Sequence, residues 1–287
     1  MPRTAQPLGE FVEGRPVMKN WLKIACMAAA IAGASYFFGK TCARVEHALP
    51  LILSPSQDSL DLLVALLLAM GLVVISIELA AALVRPLLLG AGLFALGGLA
   101  MLLAGPLSGI SALLSLVFFL GATLYAWRAK AELDNRISFS AGVLAQKQGI
   151  LLVILIFVAS ARIYLGSVQY FDREGFSIPP RLARVVASWM EGQIGGQIPP
   201  EERERALAQL RRDLPTQMQA MLNRLIAPYE PWMPILVSLG FFMTLETLLG
   251  FLGWIPARIL RLLIALLALL KVTREVVEMR EVHTLSL

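Results

Sequence analysis

Seven apolar runs dominate this chain and constrain its fold more than any other feature. They cover residues 21–38, 60–83, 87–103, 107–127, 149–165, 232–252 and 255–272. A helix of about 20 apolar residues crosses the hydrocarbon core of a bilayer and satisfies its own backbone hydrogen bonds there. The runs are continuous rather than alternating, which excludes an outer-membrane β-barrel. The sequence therefore predicts an all-α, polytopic membrane protein with 6–7 transmembrane helices.

Composition and charge support the same class. Hydrophobic residues make up 57% of the chain and charged residues only 16%, whereas a soluble domain is about 25% charged. The formal net charge is +5, but the basic residues flank apolar runs, as membrane insertion requires. They are not interleaved with aromatic residues into a basic patch. We therefore expect the lipid bilayer as a partner and no nucleic acid.

The apolar and polar stretches divide the chain into five parts. We predict a cytoplasmic N-terminal tail at 1–20, a five-helix transmembrane region at 21–165, an extracytoplasmic amphipathic helical insert at 166–231, a transmembrane helical hairpin at 232–272 and a charged helical extension at 273–287. Most Lys and Arg residues near the short loops fall on the side of the N-terminus, which predicts that this side is cytoplasmic. The expected location is the cell membrane, as a multi-pass protein of a bacterial inner membrane.

The polar insert between the fifth and sixth runs has its own pattern. Two similar segments, Ser-Ile-Pro-Pro at 177–180 and Gln-Ile-Pro-Pro at 197–200, resemble helix starts, where proline is tolerated because its missing N–H would have no partner. Each is followed by an apolar stripe at helical spacing. The pattern predicts a small helical cap between spans five and six, whose stripes are a surface for a partner.

Three local features refine the spans. Asp58 or Ser59 is expected to cap the second helix. Arg162, at the end of the fifth run, is expected to extend to the membrane surface. The seventh run spans only if Arg258 and Arg261 snorkel. A re-entrant or interfacial helix stays open as its alternative, and with it the side of the C-terminus.

Cysteines, histidines and motifs give no indication of catalysis. Cys26 and Cys42 lie in or just beyond the first run, and a straight helix separates them by about 24 Å, too far for a disulfide. His47 and His283 are isolated in the sequence. Nucleophile-elbow, metalloprotease, phosphate-loop and dinucleotide motifs are missing. We therefore predict no catalytic residues, no cofactor, no metal site and no enzymatic activity.

Ionisable residues inside the apolar runs are the expected place for function. Glu78 lies near the cytoplasmic interface and is expected to pair with an arginine such as Arg85. If the last two runs form an antiparallel hairpin, Arg261 reaches the depth of Glu246 and Arg258 lies nearer the interface. We predict an ion pair between Glu246 and Arg261. Alternatively, Glu246 and Glu78 line a transport path.

The third run carries the best packing motif. Small residues recur every seven positions in two adjacent stripes, which lets another helix approach closely. This helix belongs either to the same chain or to another subunit. Beside it, three serines follow one side of the fourth run and would bond to that neighbour or line a pore. The stripes are Gly90, Gly97 and Ala104, and Ala91, Gly98 and Gly105; the serines are Ser108, Ser111 and Ser115.

Two functions follow from these expectations. The first is a non-enzymatic scaffold, assembly or accessory subunit of a membrane complex, which binds a membrane protein or itself through the small-residue seam or the insert. The second is a transporter or channel for a small solute or ion. A water-accessible cavity that reaches Glu246 or Glu78 would favour a transporter or channel. Glutamates that are paired and shielded from water would favour a scaffold.

Overall fold

The computed structural model describes residues 17–49, 56–84, 86–134, 141–174, 220, 224 and 227–269. Regular secondary structure in these residues is helical throughout, which confirms the predicted all-α class. A short 3-10 turn at Ala227–Trp232 precedes the sixth helix. The helices are α1 (Val17–Glu46), α2 (Gln57–Leu83), α3 (Leu87–Leu103), α4 (Gly109–Asp134), α5 (Ala141–Glu174), α6 (Met233–Leu252) and α7 (Trp254–Leu269).

Five of these helices, α1, α2, α4, α5 and α6, are long and apolar enough to cross a membrane. The third helix, α3, is equally apolar but has 17 residues, a length of about 25 Å. The last, α7, has 16 residues. A multi-pass membrane protein is therefore supported, whereas the exact number of spans stays a prediction.

Several helices extend beyond the apolar runs that predicted them. The first continues to Glu46 instead of ending at residue 38, and both free cysteines lie on it. The expected polar loop at 128–148 is largely helical, because α4 continues to Asp134 and α5 begins at Ala141. Hydropathy identifies only the segment of a helix that is apolar enough for the hydrocarbon core. The helical hydrogen bonds of the backbone continue beyond that segment into the polar flanking residues.

The start of α2 corrects the predicted cap. Its N-cap is Ser56, not Asp58 or Ser59. The Ser56 hydroxyl accepts from the Ser59 backbone N–H at 3.2 Å, and the Ser59 hydroxyl accepts from the Ser56 N–H at 3.0 Å. The prediction was wrong because it considered one side chain at a time, whereas the cap is reciprocal and needs both serines.

The fifth helix is the centre of the bundle. It contacts α1, α2, α4, α6 and α7, whereas α1 packs on α2, α3 and α5. The last two helices do not form the predicted antiparallel hairpin. The chain turns at Gly253, whose N–H bonds to the Leu249 carbonyl at 2.7 Å. Beyond this turn, α6 packs mainly on α5 and α7 packs on α2 and α5, with little contact between α6 and α7.

Helices α1, α3 and α5 run in one direction and α4 and α6 in the other, so that the bundle has two distinct ends. At one end, which we call the Arg162 end, Gly105 lies against Ala43 and Arg162. At the other, the Glu78 end, the Tyr125 hydroxyl donates to the Leu144 carbonyl at 3.3 Å. The C-terminal parts of α1, α3 and α5 therefore meet at the Arg162 end.

Parts of the sequence prediction lie outside the described residues. These are the tail at 1–16, the two Ile-Pro-Pro helix starts and their stripes, and the extension beyond 269. Residues 166–174, assigned to the insert from the sequence, belong to α5. The cap and its sidedness stay predictions.

Candidate functional site

The Arg162 end contains a buried ion pair between α1 and α5. Arg162 Nη1 donates to Glu46 Oε2 at 3.0 Å, and the two side chains are only 3% and 6% exposed. The expectation that Arg162 extends to the membrane surface was therefore wrong. Because α5 continues to Glu174, Arg162 lies about 18 Å from the end of its helix. A carboxylate from the neighbouring helix replaces the water that the guanidinium would have reached.

Glycines allow the two backbones to come close enough for this pair. A Cβ at Gly166, one turn after Arg162, would overlap the backbone carbonyl of Glu46. Across the pair, a Cβ at Gly105 would lie 3.6 Å from Arg162 Nη2. Cys42, one turn before Glu46, is fully buried beside them. The pair is thus enclosed by small groups, and close packing excludes water from it.

The Glu78 end contains a carboxyl group without a partner. Glu78 is 0% exposed, and neither of its oxygens has a hydrogen-bond partner among the described residues. The predicted partner Arg85 lies outside the described residues. Tyr125, which is also buried, lies close enough to Glu78 for a Coulombic interaction. A buried carboxyl group that no other group compensates is unfavourable inside a membrane, so such residues commonly mark functional sites.

The small-residue seam lies between the two ends and is occupied within the chain. A Cβ at Gly97 would lie 2.9 Å from Ile31 Cγ2 and 3.0 Å from Ser35 Oγ, so this stripe faces α1. A Cβ at Gly98 would lie 3.3 Å from the Ser115 carbonyl, so the adjacent stripe faces α4. Gly97 also lies near Phe118 of α4, so the seam as a whole packs α3 against both α1 and α4.

Other members of the seam continue these contacts. A Cβ at Gly39 of α1 would lie 2.9 Å from Ala104 Cβ and 2.7 Å from the Met101 carbonyl. Gly90 is buried and Ala91 half-buried at the start of α3. The described surface of the seam is thus used for packing inside the bundle.

The serines beside the seam make local bonds. The Ser111 hydroxyl donates to the Pro106 carbonyl at 2.7 Å and lies 2.9 Å from the Ser108 hydroxyl. The hydroxyl of Ser115 is buried without a partner among the described residues. Two of the three serines therefore stabilise the turn between α3 and α4.

The last two helices do not form the predicted intramembrane ion pair. Glu246 and Arg261 are both exposed, and neither has an ion pair or hydrogen bond with any described side chain. Arg258 stacks on the ring of Trp254, with 4.8 Å between its guanidinium carbon and the ring centroid. The prediction required α6 and α7 to pack along each other, and they diverge instead.

An open cavity of about 400 Å³ lies between the end of α4 and the start of α5. Its lining includes Trp127, Arg128 and the ion pair of Lys147 with Glu132, whose nitrogen and oxygen are 3.4 Å apart. Neither Glu78 nor Glu246 lines it. This cavity therefore does not connect the candidate transport residues to solvent.

The buried ion pair could not be predicted from the apolar runs. Glu46 lies eight positions beyond residue 38, where the first run ends, so it does not stand out as an acid in an apolar run. One signal was available: Gly166 and Ser167 follow Arg162 at small-residue positions, which indicates a close helix contact rather than an open interface.

The described residues combine helices long and apolar enough to cross a membrane with buried polar groups, but contain no cluster of His, Cys, Asp and Glu able to hold a metal ion. Several apolar helices long enough to cross a bilayer are compatible with an integral, multi-pass membrane protein. No protein-family model, curated protein or solved structure matches this chain.

Proposed function

We propose that this protein is a non-enzymatic scaffold, assembly or accessory subunit of a membrane complex, and that it binds its partner inside the bilayer. One observation carries the proposal: Glu246 is exposed on the outer face of α6 instead of being buried or paired within the chain. An acid in this position needs a group from another helix.

The position of Glu246 along α6 supports the proposal that it requires a partner group from another helix. Along α6, it lies seven residues from Gly253 and thirteen from Met233, which is about 10 Å and about 20 Å from the two ends. Placing a charged side chain near the centre of a membrane helix costs about 2.5–3.5 kcal/mol on insertion scales. A glutamate side chain is too short to reach the interface from here. A donor on a partner helix would offset much of this cost.

The surface around Glu246 suits a second helix. Leu239, Met243, Glu246 and Gly250 are exposed and form one stripe at alternating spacings of four and three residues, the spacing of interdigitating helices. A Cβ at Gly250 would meet no atom within 4 Å, so a neighbouring backbone has room to approach.

A second candidate is a transporter or channel for a small solute or ion that uses Glu78 and Glu246. The two unpartnered oxygens of Glu78 favour it, because a proton or cation would satisfy them. Against it, Gly97 packs tightly on Ile31 and Phe118 in the middle of the bundle, where a pathway between the two ends would run.

The test is purification in mild detergent, followed by mass spectrometry and native mass determination. We expect the wild-type chain to carry a stoichiometric partner or to self-associate, and the isosteric change Glu246→Gln to weaken that assembly. The matched control is Asp61→Asn, the same acid-to-amide change at an exposed position near the start of α2. A wild-type chain that elutes as a bare monomer would contradict the proposal.

A flux assay separates the second candidate from the first. Vesicles containing the protein are loaded with a pH-sensitive dye and driven by a membrane potential. Ion or proton flux that is lost in both Glu78→Gln and Glu246→Gln would favour a transporter. Equal leak through wild-type and variant vesicles would favour the scaffold.

A further inference from the structure

We propose that the partner at Glu246 is a second copy of this chain, with Glu246 of each copy paired to Arg261 of the other. This inference rests on the proposed function, because it names the partner of the same surface. One contact between copies would account for the exposure of both charged side chains, Glu246 and Arg261, in the single chain.

Charge complementarity is the first argument. Arg261 is exposed on α7 and makes no ion pair with any described residue. Its neighbour Arg258, one turn earlier, is already engaged by the ring of Trp254. The chain therefore presents one uncompensated acid on α6 and one uncompensated base on α7. Each lowers the desolvation cost of the other when the two meet.

Position relative to the Gly253 turn is the second argument. Glu246 lies seven residues before Gly253 and Arg261 lies eight residues after it. Along the helix axes, these separations are about 10 Å and about 12 Å from the same turn. A two-fold axis that relates two copies makes every contact between them occur twice. The acid of each copy is then paired with the base of the other, and neither charge is left uncompensated.

The divergence of α6 and α7 explains why the pair forms between copies and not within one. The two helices separate beyond Gly253 because α7 packs on α2 and α5. This separation prevents Arg261 from reaching Glu246 of its own chain, yet leaves both side chains on the outer surface. The open stripe with Gly250 provides the close approach that an interface in lipid requires.

The first experiment measures association in a bilayer. Two populations of the full chain, labelled with a donor and an acceptor fluorophore, are reconstituted in phosphatidylcholine vesicles, and energy transfer is followed as lipid dilutes them. We expect Glu246→Arg and Arg261→Glu each to raise the dimer dissociation constant about tenfold or more, because close charge pairs couple strongly. The double variant E246R/R261E should regain most of the wild-type affinity.

Rescue in the double variant also excludes misfolding, since a misfolded chain would not recover association through a second charge reversal. The matched control is Arg258→Glu, one turn from Arg261 on the same helix, which should change the dissociation constant much less. Helical content by circular dichroism accompanies every variant. No rescue, or an effect of Arg258→Glu equal to that of Arg261→Glu, overturns the inference.

The second experiment tests proximity by disulfide formation in native membranes. One tagged copy carries Glu246→Cys and a differently tagged copy carries Arg261→Cys, both with Cys26→Ser, because native Cys26 is exposed whereas Cys42 is buried. Oxidation should link the two tags. Thr244→Cys replaces Glu246→Cys as the control, since Thr244 is also exposed but points to nearly the opposite side of α6. Equal linking of the control overturns the inference.

The outcomes separate this inference from the proposed function. If Glu246→Gln loses a different stoichiometric membrane protein while wild-type copies show no energy transfer, the partner is another protein. The inference then fails and the proposed function stands. If neither Glu246→Gln nor Arg261→Glu alters any assembly, both fail.

Discussion

At the Arg162 end of the bundle, Glu46 and Arg162 are buried together at 3.0 Å, whereas at the Glu78 end a carboxyl group is buried alone. Both sites exclude solvent. They differ in what the neighbouring helix contributes. At the first site, glycines bring a second charged side chain within hydrogen-bond distance. At the second, Tyr125 interacts electrostatically with Glu78, but its hydroxyl donates to the Leu144 carbonyl.

This difference separates two uses of charge inside a membrane protein. A buried ion pair fixes one helix against another, but is fragile because either charge alone is strongly unfavourable. An unsatisfied carboxyl group contributes nothing to packing and has a cost of its own. We therefore expect replacement of Arg162 and replacement of Glu78 by an apolar residue to change stability in opposite directions.

The largest effect is expected when the pair is broken. Arg162→Met retains most of the side-chain volume but leaves Glu46 buried and unpaired. It should lower the free energy of unfolding by about 3–5 kcal/mol, measured by reversible unfolding in mixed detergent micelles. The control is Arg173→Met, exposed on the same helix, with an expected change within about 0.5 kcal/mol. Similar losses for both variants would show that the pair does not stabilise this end.

The glycine contact beneath the pair gives the next largest effect. The methyl group of Gly166→Ala would overlap the Glu46 carbonyl and push α1 away from α5, destabilising the fold by about 1–3 kcal/mol. The same melting experiment on Gly149→Ala provides the comparison, because a Cβ at Gly149 meets nothing within 4 Å. Equal stability of the two variants would mean that α1 and α5 do not touch here.

At the Glu78 end the sign should reverse. Glu78→Met replaces an unpartnered carboxyl group by an apolar side chain of similar size and should raise the free energy of unfolding by about 1–2 kcal/mol. Glu78→Gln, which keeps buried polar atoms, should give a smaller gain. A loss of stability in Glu78→Met would reveal a partner for the carboxyl group and make the two ends alike.

The smallest effect concerns the hydroxyl beside Glu78. Tyr125→Phe removes the 3.3 Å bond to the Leu144 carbonyl and should lower the free energy of unfolding by about 0.5–1 kcal/mol. The loss is small because this carbonyl lies in the first turn of α5 and still accepts the helical bond from the N–H four residues later. Tyr164→Phe, at an exposed position on α5, should be neutral in the same denaturation series. A larger loss than in Gly166→Ala would make Tyr125 the main polar contact of this end.

The sequence predicted the helices better than their ends. For α3, the apolar run and the helix coincide at Leu87–Leu103, because a proline before it and a Gly-Pro turn after it fix both ends. Hydropathy could not place the end of α1, since the residues from 39 to Glu46 are mixed in polarity and Glu46 packs against Gly166 of a distant helix.

The candidate site was predicted only in part. Glu78 and Glu246 were identified because an acid in an apolar run is conspicuous in any single sequence. The surroundings of these two acids were not predicted, because the expected partners, Arg85 and Arg261, were chosen for being close along the chain. The bond that does form joins Arg162 to a residue 116 positions away, a distance that no local pattern covers.

By itself, the sequence determined the helical class, the presence of helices apolar enough for a membrane and the position of both cysteines at the first apolar run, because these follow from composition and local pattern. Only the tertiary structure decided which charges are paired and which helices the small-residue seam packs against. These contacts depend on the packing of α1, α2, α4, α6 and α7 against α5. In lipid, apolar side chains gain little by contacting a helix instead of lipid tails, so close glycine contacts and charge pairs determine which helices pack together.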